Sequence, residues 1–109
     1  QPAQGQYVIE IRRQGEKPQS VTVPLYGTET ISTALNAAGV TKKKGAWDIE
    51  LMRTNPENGN RHRMFVEYET AKRQVRIEQD YALFPNDHLV VKQSTNSRLD
   101  DLFGNLMGE

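Results

Sequence analysis

Apolar and polar residues alternate along residues 7–13, with Tyr7, Ile9 and Ile11 on one side and Glu10 and Arg12 on the other. A period of two marks a strand with one buried face. Gln14-Gly15-Glu16-Lys17-Pro18 supplies turn formers. Residues 20–25 then alternate again, with Val21, Val23 and Leu25 on one face. The two runs predict a hairpin. Pro24 cannot donate a ladder hydrogen bond, so its strand belongs at an edge or a bulge. The period then changes: Ile31, Ala34, Leu35 and Ala38 fall at i, i+3, i+4 and i+7, one face of a helix of about nine residues. Thr30 is placed to cap it, its hydroxyl accepting from the N–H of Thr33. Gly39 stands where a left-handed residue ends a helix. A helix this short is held by packing rather than by propensity.

A basic loop, Lys42-Lys43-Lys44-Gly45, leads into a strand over residues 47–53, with Trp47, Ile49 and Leu51 inward and Asp48 and Glu50 outward. The turn-rich stretch 55–60 is followed by a return strand over 61–69, with Met64, Val66 and Tyr68 inward. Val75 and Ile77 suggest another short strand. Leu83-Phe84-Pro85-Asn86-Asp87 turns into a final strand over 88–93, whose Leu89 and Val91 share a face. Hairpin, helix, hairpin, short strand or turn, last strand is an α+β order, and its compact solution is a mixed sheet with one helix packed across it, a β-grasp. Residues 1–6 read as a loose leader, 7–93 as the domain and 94–109 as a tail.

The tail repeats a helical spacing. Leu99, Leu102, Phe103, Leu106 and Met107 fall at i, i+3, i+4, i+7 and i+8, opposite Arg98, Asp100, Asp101 and Asn105. Gly104 costs such a helix about 1 kcal/mol against alanine, so the expected amphipathic C-terminal helix needs a surface. Its acidic polar side favours the parent domain or a partner subunit over a membrane, whose surface helices are rich in Lys and Arg. Leu99, Leu102, Phe103 and Leu106 are the candidate partner-binding residues.

A chain of 109 residues is the size of one domain. Fourteen Lys and Arg balance fourteen Asp and Glu, giving a net charge of zero. The basic excess that nucleic-acid binding requires is missing, so no nucleic acid is expected as partner. No run approaches the roughly 18 apolar residues of a membrane span, and direct insertion by this segment is not expected. Cysteine is absent, which removes disulfides, thiolate nucleophiles and Cys-based zinc sites together. A start at Gln1 points to processing or to excision from something larger.

Reactive constellations are not evident. His62 stands between Arg61 and Arg63, whose charges oppose a cation, and His88 follows Asp87 without the further ligands a metal site needs. No serine sits in a nucleophile elbow, and Glu67 and Glu69 read as solvated strand neighbours. No catalytic residue, metal or cofactor is expected. Binding residues are easier to find: Arg53, Arg61, Arg63, Arg73 and Arg76 cluster with Trp47, Tyr68 and Tyr81 in one half of the chain. Guanidinium forks suit carboxylates and phosphates, and aromatic faces stack on sugar rings. Arg53, Arg61, Arg63 and Tyr68 are the candidate ligand-binding residues. The other reading pairs the arginines with glutamates across the sheet and puts Trp47 in the core.

Three stretches together resemble the soluble-ligand-binding β-grasp domain of bacterial polysaccharide export proteins. Residues 27–39, with Thr30 leading into Ala34-Leu35-Asn36-Ala37-Ala38-Gly39, are similar to its capped helix and "Ala-Leu-x-x-Ala-Gly-Gly". Asp48-Ile49-Glu50-Leu51-Met52-Arg53 is similar to its next strand, which commonly ends in arginine. Residues 80–91, with Leu83-Phe84-Pro85-Asn86-Asp87-His88-Leu89-Val90-Val91, are similar to its closing "Leu-x-Pro-Gly-Asp-x-Val-x-Val". Val40 departs from the second glycine of the helix motif and implies a different helix exit. Asn86 departs from the glycine of the turn, and asparagine tolerates the left-handed conformation. The resemblance implies a non-enzymatic binding or assembly domain on the periplasmic side of a bacterial cell envelope, contacting polysaccharide or other subunits of an export complex. The alternative is a ubiquitin-like protein-interaction module unrelated to export.

Overall fold

The computed structural model describes residues 3–42 and 45–94. Strands β1 (Gly5–Arg12) and β2 (Gln19–Leu25) form the first hairpin, with Tyr7 opposite Val23 and Ile9 opposite Val21. Strand β1 takes in Gly5 and Gln6, which the alternation alone leaves in the leader. Helix α1 (Ile31–Ala37) is shorter than the sequence spacing suggests. Its N-cap is Thr30, whose side chain accepts from the N–H of Thr33, as that residue's position predicts. The Asp80 carboxylate also accepts from the N–H of Ser32 at 2.8 Å. Gly39 has φ 80, the left-handed helix exit. A 3-10 turn over Val40–Lys42 follows and buries Val40, the changed exit that a valine there implies.

Strand β3 (Trp47–Thr54) pairs with β4 (Arg61–Val66) as the second hairpin. The expected return strand to residue 69 is broken at Glu67. Its N–H leaves the ladder for Gln79 Oε1 at 2.6 Å, and its carbonyl accepts from the N–H of Arg76 at 2.9 Å. The chain beyond, β5 (Tyr68–Glu69), pairs instead with β6 (Gln74–Val75) in a separate two-stranded sheet. Tyr68 and Val75 are both buried, so apolar alternation runs unbroken across a break in pairing. Ile77, expected in a strand beside Val75, belongs to a 3-10 turn over Ile77–Gln79 and is 80% exposed.

Strand β7 (His88–Gln93) closes the main sheet by entering its centre, parallel to β1 and antiparallel to β3. The order is β2-β1-β7-β3-β4, a mixed five-stranded sheet with α1 packed against one face. Pro24 accordingly lies on an edge strand. The core lies between helix and sheet: Ile31, Ala34 and Leu35 from α1 meet Ile9, Ile49, Leu51, Leu89 and Val91. Burying each of the larger aliphatic side chains contributes roughly 1.5–3 kcal/mol. Trp47 joins this core. Leu99, Leu102, Phe103 and Leu106, with the whole expected C-terminal helix, lie outside the described residues.

Candidate functional site

The turn before β7 is built around one carboxylate. Leu83 is buried, and its N–H donates to the Glu29 carbonyl at 2.9 Å, tying the segment to the start of α1. Phe84 N–H donates to Asp87 Oδ2 at 2.8 Å, and Asp87 N–H returns to the Phe84 carbonyl at 3.1 Å. Asn86 adopts φ 70, the left-handed geometry expected of an asparagine in the usual glycine position. Asp87 is only 1% exposed. A carboxylate that deep requires a cation, and Arg53 supplies it from the end of β3.

Arg53 Nε and Nη2 donate to the two Asp87 oxygens at 3.0 and 2.9 Å, a bidentate pair. Nη2 also donates to the Ala82 carbonyl at 2.9 Å. The guanidinium lies over the Phe84 ring, 3.9 Å from its centroid, so its remaining face is held by a cation–π contact. Phe84 itself is half-exposed. Arg53, Phe84, Pro85 and Asn86 form one wall of an open hollow of about 630 Å³, and Asn55, Pro56 and His62 form the other. The hollow is mainly apolar, with amide, imidazole and guanidinium groups at its rim. That composition suits a flat ligand with an apolar face and polar edges.

The structure separates the arginines that the sequence groups together. Arg53 shares its strand face with Leu51 and stands opposite His62, on the helix side of the sheet. Arg61 and Arg63 pair with Thr54 and Met52 and so point to the side of the sheet opposite the helix. Arg61 borders a smaller hollow of about 140 Å³ with Met52 and His88. Arg63 pairs across the strands with Glu50 at 3.2 Å, and Arg76 pairs with Glu67 at 3.1 Å. Arg73 reaches the Lys42 carbonyl. Tyr68 is buried near Trp47, away from Arg53. Burial raises its pKa above the ordinary value of 10.0, against the opposing charge of Arg73. Neither its hydroxyl nor Trp47 Nε1 has a hydrogen-bond partner among the described residues.

Asp87, the last residue of the turn, and His88, the first of β7, face opposite ways. His88 Nε2 lies 3.1 Å from Glu10 Oε1 on the uncovered face. The Arg12 hydrogen bond, aided by His88 and opposed by desolvation, holds the Glu10 carboxyl below its ordinary value. Among the described residues no three His, Cys, Asp or Glu side chains gather, and no helix is long and apolar enough to cross a membrane.

Sequence reasoning found Arg53 but missed Phe84, His62 and Asp87 as its neighbours. Phe84 carried a signal: an aromatic residue inside a turn, outside any alternating run, has no strand face to bury it. Comparison with family models, curated proteins and solved structures finds no match to this chain.

Proposed function

We propose that the chain is a non-enzymatic β-grasp domain of the polysaccharide-export type, acting on the periplasmic side of a bacterial envelope to bind glycan or to assemble with other subunits. The observation that carries the reading is the Arg53–Asp87 clamp beneath a half-exposed Phe84, which shapes the hollow of about 630 Å³. A sugar ring offers what those walls accept. Its apolar face lies against Phe84 and Pro85, and its hydroxyls meet the Asn55 and Asn86 amides. An acidic substituent adds attraction at His62 and at the Arg53 edge not used by Asp87. Catalysis is disfavoured because, among the described residues, the one buried acid is Asp87, which is neutralised by a bidentate arginine with no second acid paired to it.

Titrating the full chain with an acidic oligosaccharide, followed by amide NMR, tests the glycan version. Shifts are expected at Arg53, His62, Phe84 and Asn86, with weaker binding for Phe84→Ala. No movement at these positions removes the glycan version and leaves assembly. A ubiquitin-like interaction module is favoured by one specific observation, the uncovered sheet face carrying Phe65 at 67% exposed. Under that reading, shifts on adding a protein partner centre on Phe65 and Met52 instead.

A further inference from the structure

Away from the Arg53 hollow, the side of α1 facing β2 carries only small residues, Ala34, Ala37 and Ala38. Opposite stand Val21 and Val23, with Ile9 and Ile11 of β1 on the floor. Helix α1 packs toward β6 and leaves the edge strand uncovered. Val21 is therefore 52% exposed although its alternation puts it on the core face. The result is an open, mainly apolar groove of about 290 Å³ with Arg13 at one end.

We propose that this groove seats the chain's own segment 99–107, docked in cis. Four observations lead there. The first is where the chain leaves the sheet: Lys92 lies beside Arg12 in the parallel register, and Gln14 N–H donates to Gln93 Oε1 at 3.0 Å. The exit from β7 is thus at the Arg13 end of the groove. The second is reach, since the stretch from Ser94 to Leu99 spans up to about 16 Å when extended, and only β1 separates β7 from β2.

The third is length. A helix from Leu99 to Leu106 rises about 11 Å, and the groove runs along β2 from Gln19 to Val23, about 13 Å of strand. The fourth is charge. Asp100 and Asp101 open the segment at the end where Arg13 stands, and its apolar residues then follow one stripe. Gly104 makes the segment depend on such a surface. A second copy of the chain would meet the same groove only by bringing its tail from elsewhere, whereas the cis segment starts beside it.

Methyl NMR on the full chain tests this. Contacts are expected from the Val21, Val23, Ala37 and Ala38 methyls to Leu102, Phe103 and Leu106 in a uniformly labelled, dilute sample. They should vanish in a mixed sample filtered for contacts between labelled and unlabelled chains. Leu106→Asp should abolish them and shift the Val21 and Val23 methyls. Ala37→Glu, at an exposed helix end, should shift Leu102, Phe103 and Leu106 from the other side. Absence of the contacts, their appearance only between chains, or an Ala37→Glu variant that leaves the tail resonances unmoved would each overturn the proposal.

Discussion

Replacing Arg53 by methionine isolates the contribution of the buried pair. Asp87 accepts three N–H groups: Arg53 Nε, Arg53 Nη2 and Phe84 N. Arg53→Met removes two of them and leaves a carboxylate whose side chain is 0% exposed without a cation. Breaking a buried pair from one side costs about 3–5 kcal/mol. The Arg53 side chain is 26% exposed, so water relieves part of that and the lower end, about 3 kcal/mol, is expected. The opposite change is milder. Asp87→Ala leaves an arginine that can turn to solvent and removes one acceptor from the turn, a loss of roughly 1–2 kcal/mol. The double variant should therefore recover at least about 1.5 kcal/mol relative to the sum of the singles. Urea unfolding reads all three through Trp47, the single tryptophan, which is buried in the core. In a domain this size, 3 kcal/mol corresponds to a fall in Tm of at least about 12 °C. A cost below about 1 kcal/mol for Arg53→Met, or additive singles, would show that the pair is not what holds the turn.

At Asn86, with φ 70, glycine should be neutral or stabilise by up to about 0.5 kcal/mol, and valine should cost about 1–2 kcal/mol, measured by the same unfolding midpoint. The Tyr68 hydroxyl is buried without a partner among the described residues, so Tyr68→Phe should raise the unfolding free energy by roughly 1 kcal/mol; a loss of stability would mean the hydroxyl is satisfied. Glu29 Oε1 accepts from the N–H groups of Tyr26, Gly27 and Thr28. Desolvation pushes the Glu29 carboxyl up, but these donors outweigh it and the group sits below its ordinary 4.5. A depressed carboxyl contributes stability that is full above its unfolded value and is lost as pH falls through the folded one. Glu29→Gln should therefore lower stability on the neutral plateau, leave it little changed at the acid end where the carboxyl is protonated, and so flatten the acid limb below pH 4.5.

The elements were legible where a local rule decides them. Thr30 and Gly39 bracket α1 as capping chemistry requires, and the alternation of β1, β3 and β7 places Ile9, Leu51 and Val91 in the core. The break at Glu67 was not legible. Burial alternates through Val66, Glu67 and Tyr68 whichever strand they pair with, and what ends the ladder is Gln79, a distant side chain. The exposure of Val21 was hidden for a related reason. Period two says which face a side chain takes, but not whether a seven-residue helix extends far enough to cover it.

The same limit explains why only part of the candidate site was visible. Five arginines stand close together in sequence, but only three lie on the main sheet, and strand alternation divides these between two faces: Arg53 goes inward with Leu51, while Arg61 and Arg63 go outward. What makes Arg53 different is a contact across 34 positions to Asp87, which no spacing rule near Arg53 announces. This gives Arg53 two roles that mutation cannot separate. It neutralises the carboxylate that shapes the turn, and it forms the rim of the hollow that the turn creates. Any Arg53 variant that weakens ligand binding will also loosen Phe84, so its loss cannot assign a contact. Phe84 and His62 carry no ion pair among the described residues and line the same hollow. His62→Ala should therefore lower affinity for an acidic ligand with the unfolding midpoint unchanged within about 0.5 kcal/mol. If affinity falls only in proportion to lost stability, the hollow is a by-product of the clamp rather than a site.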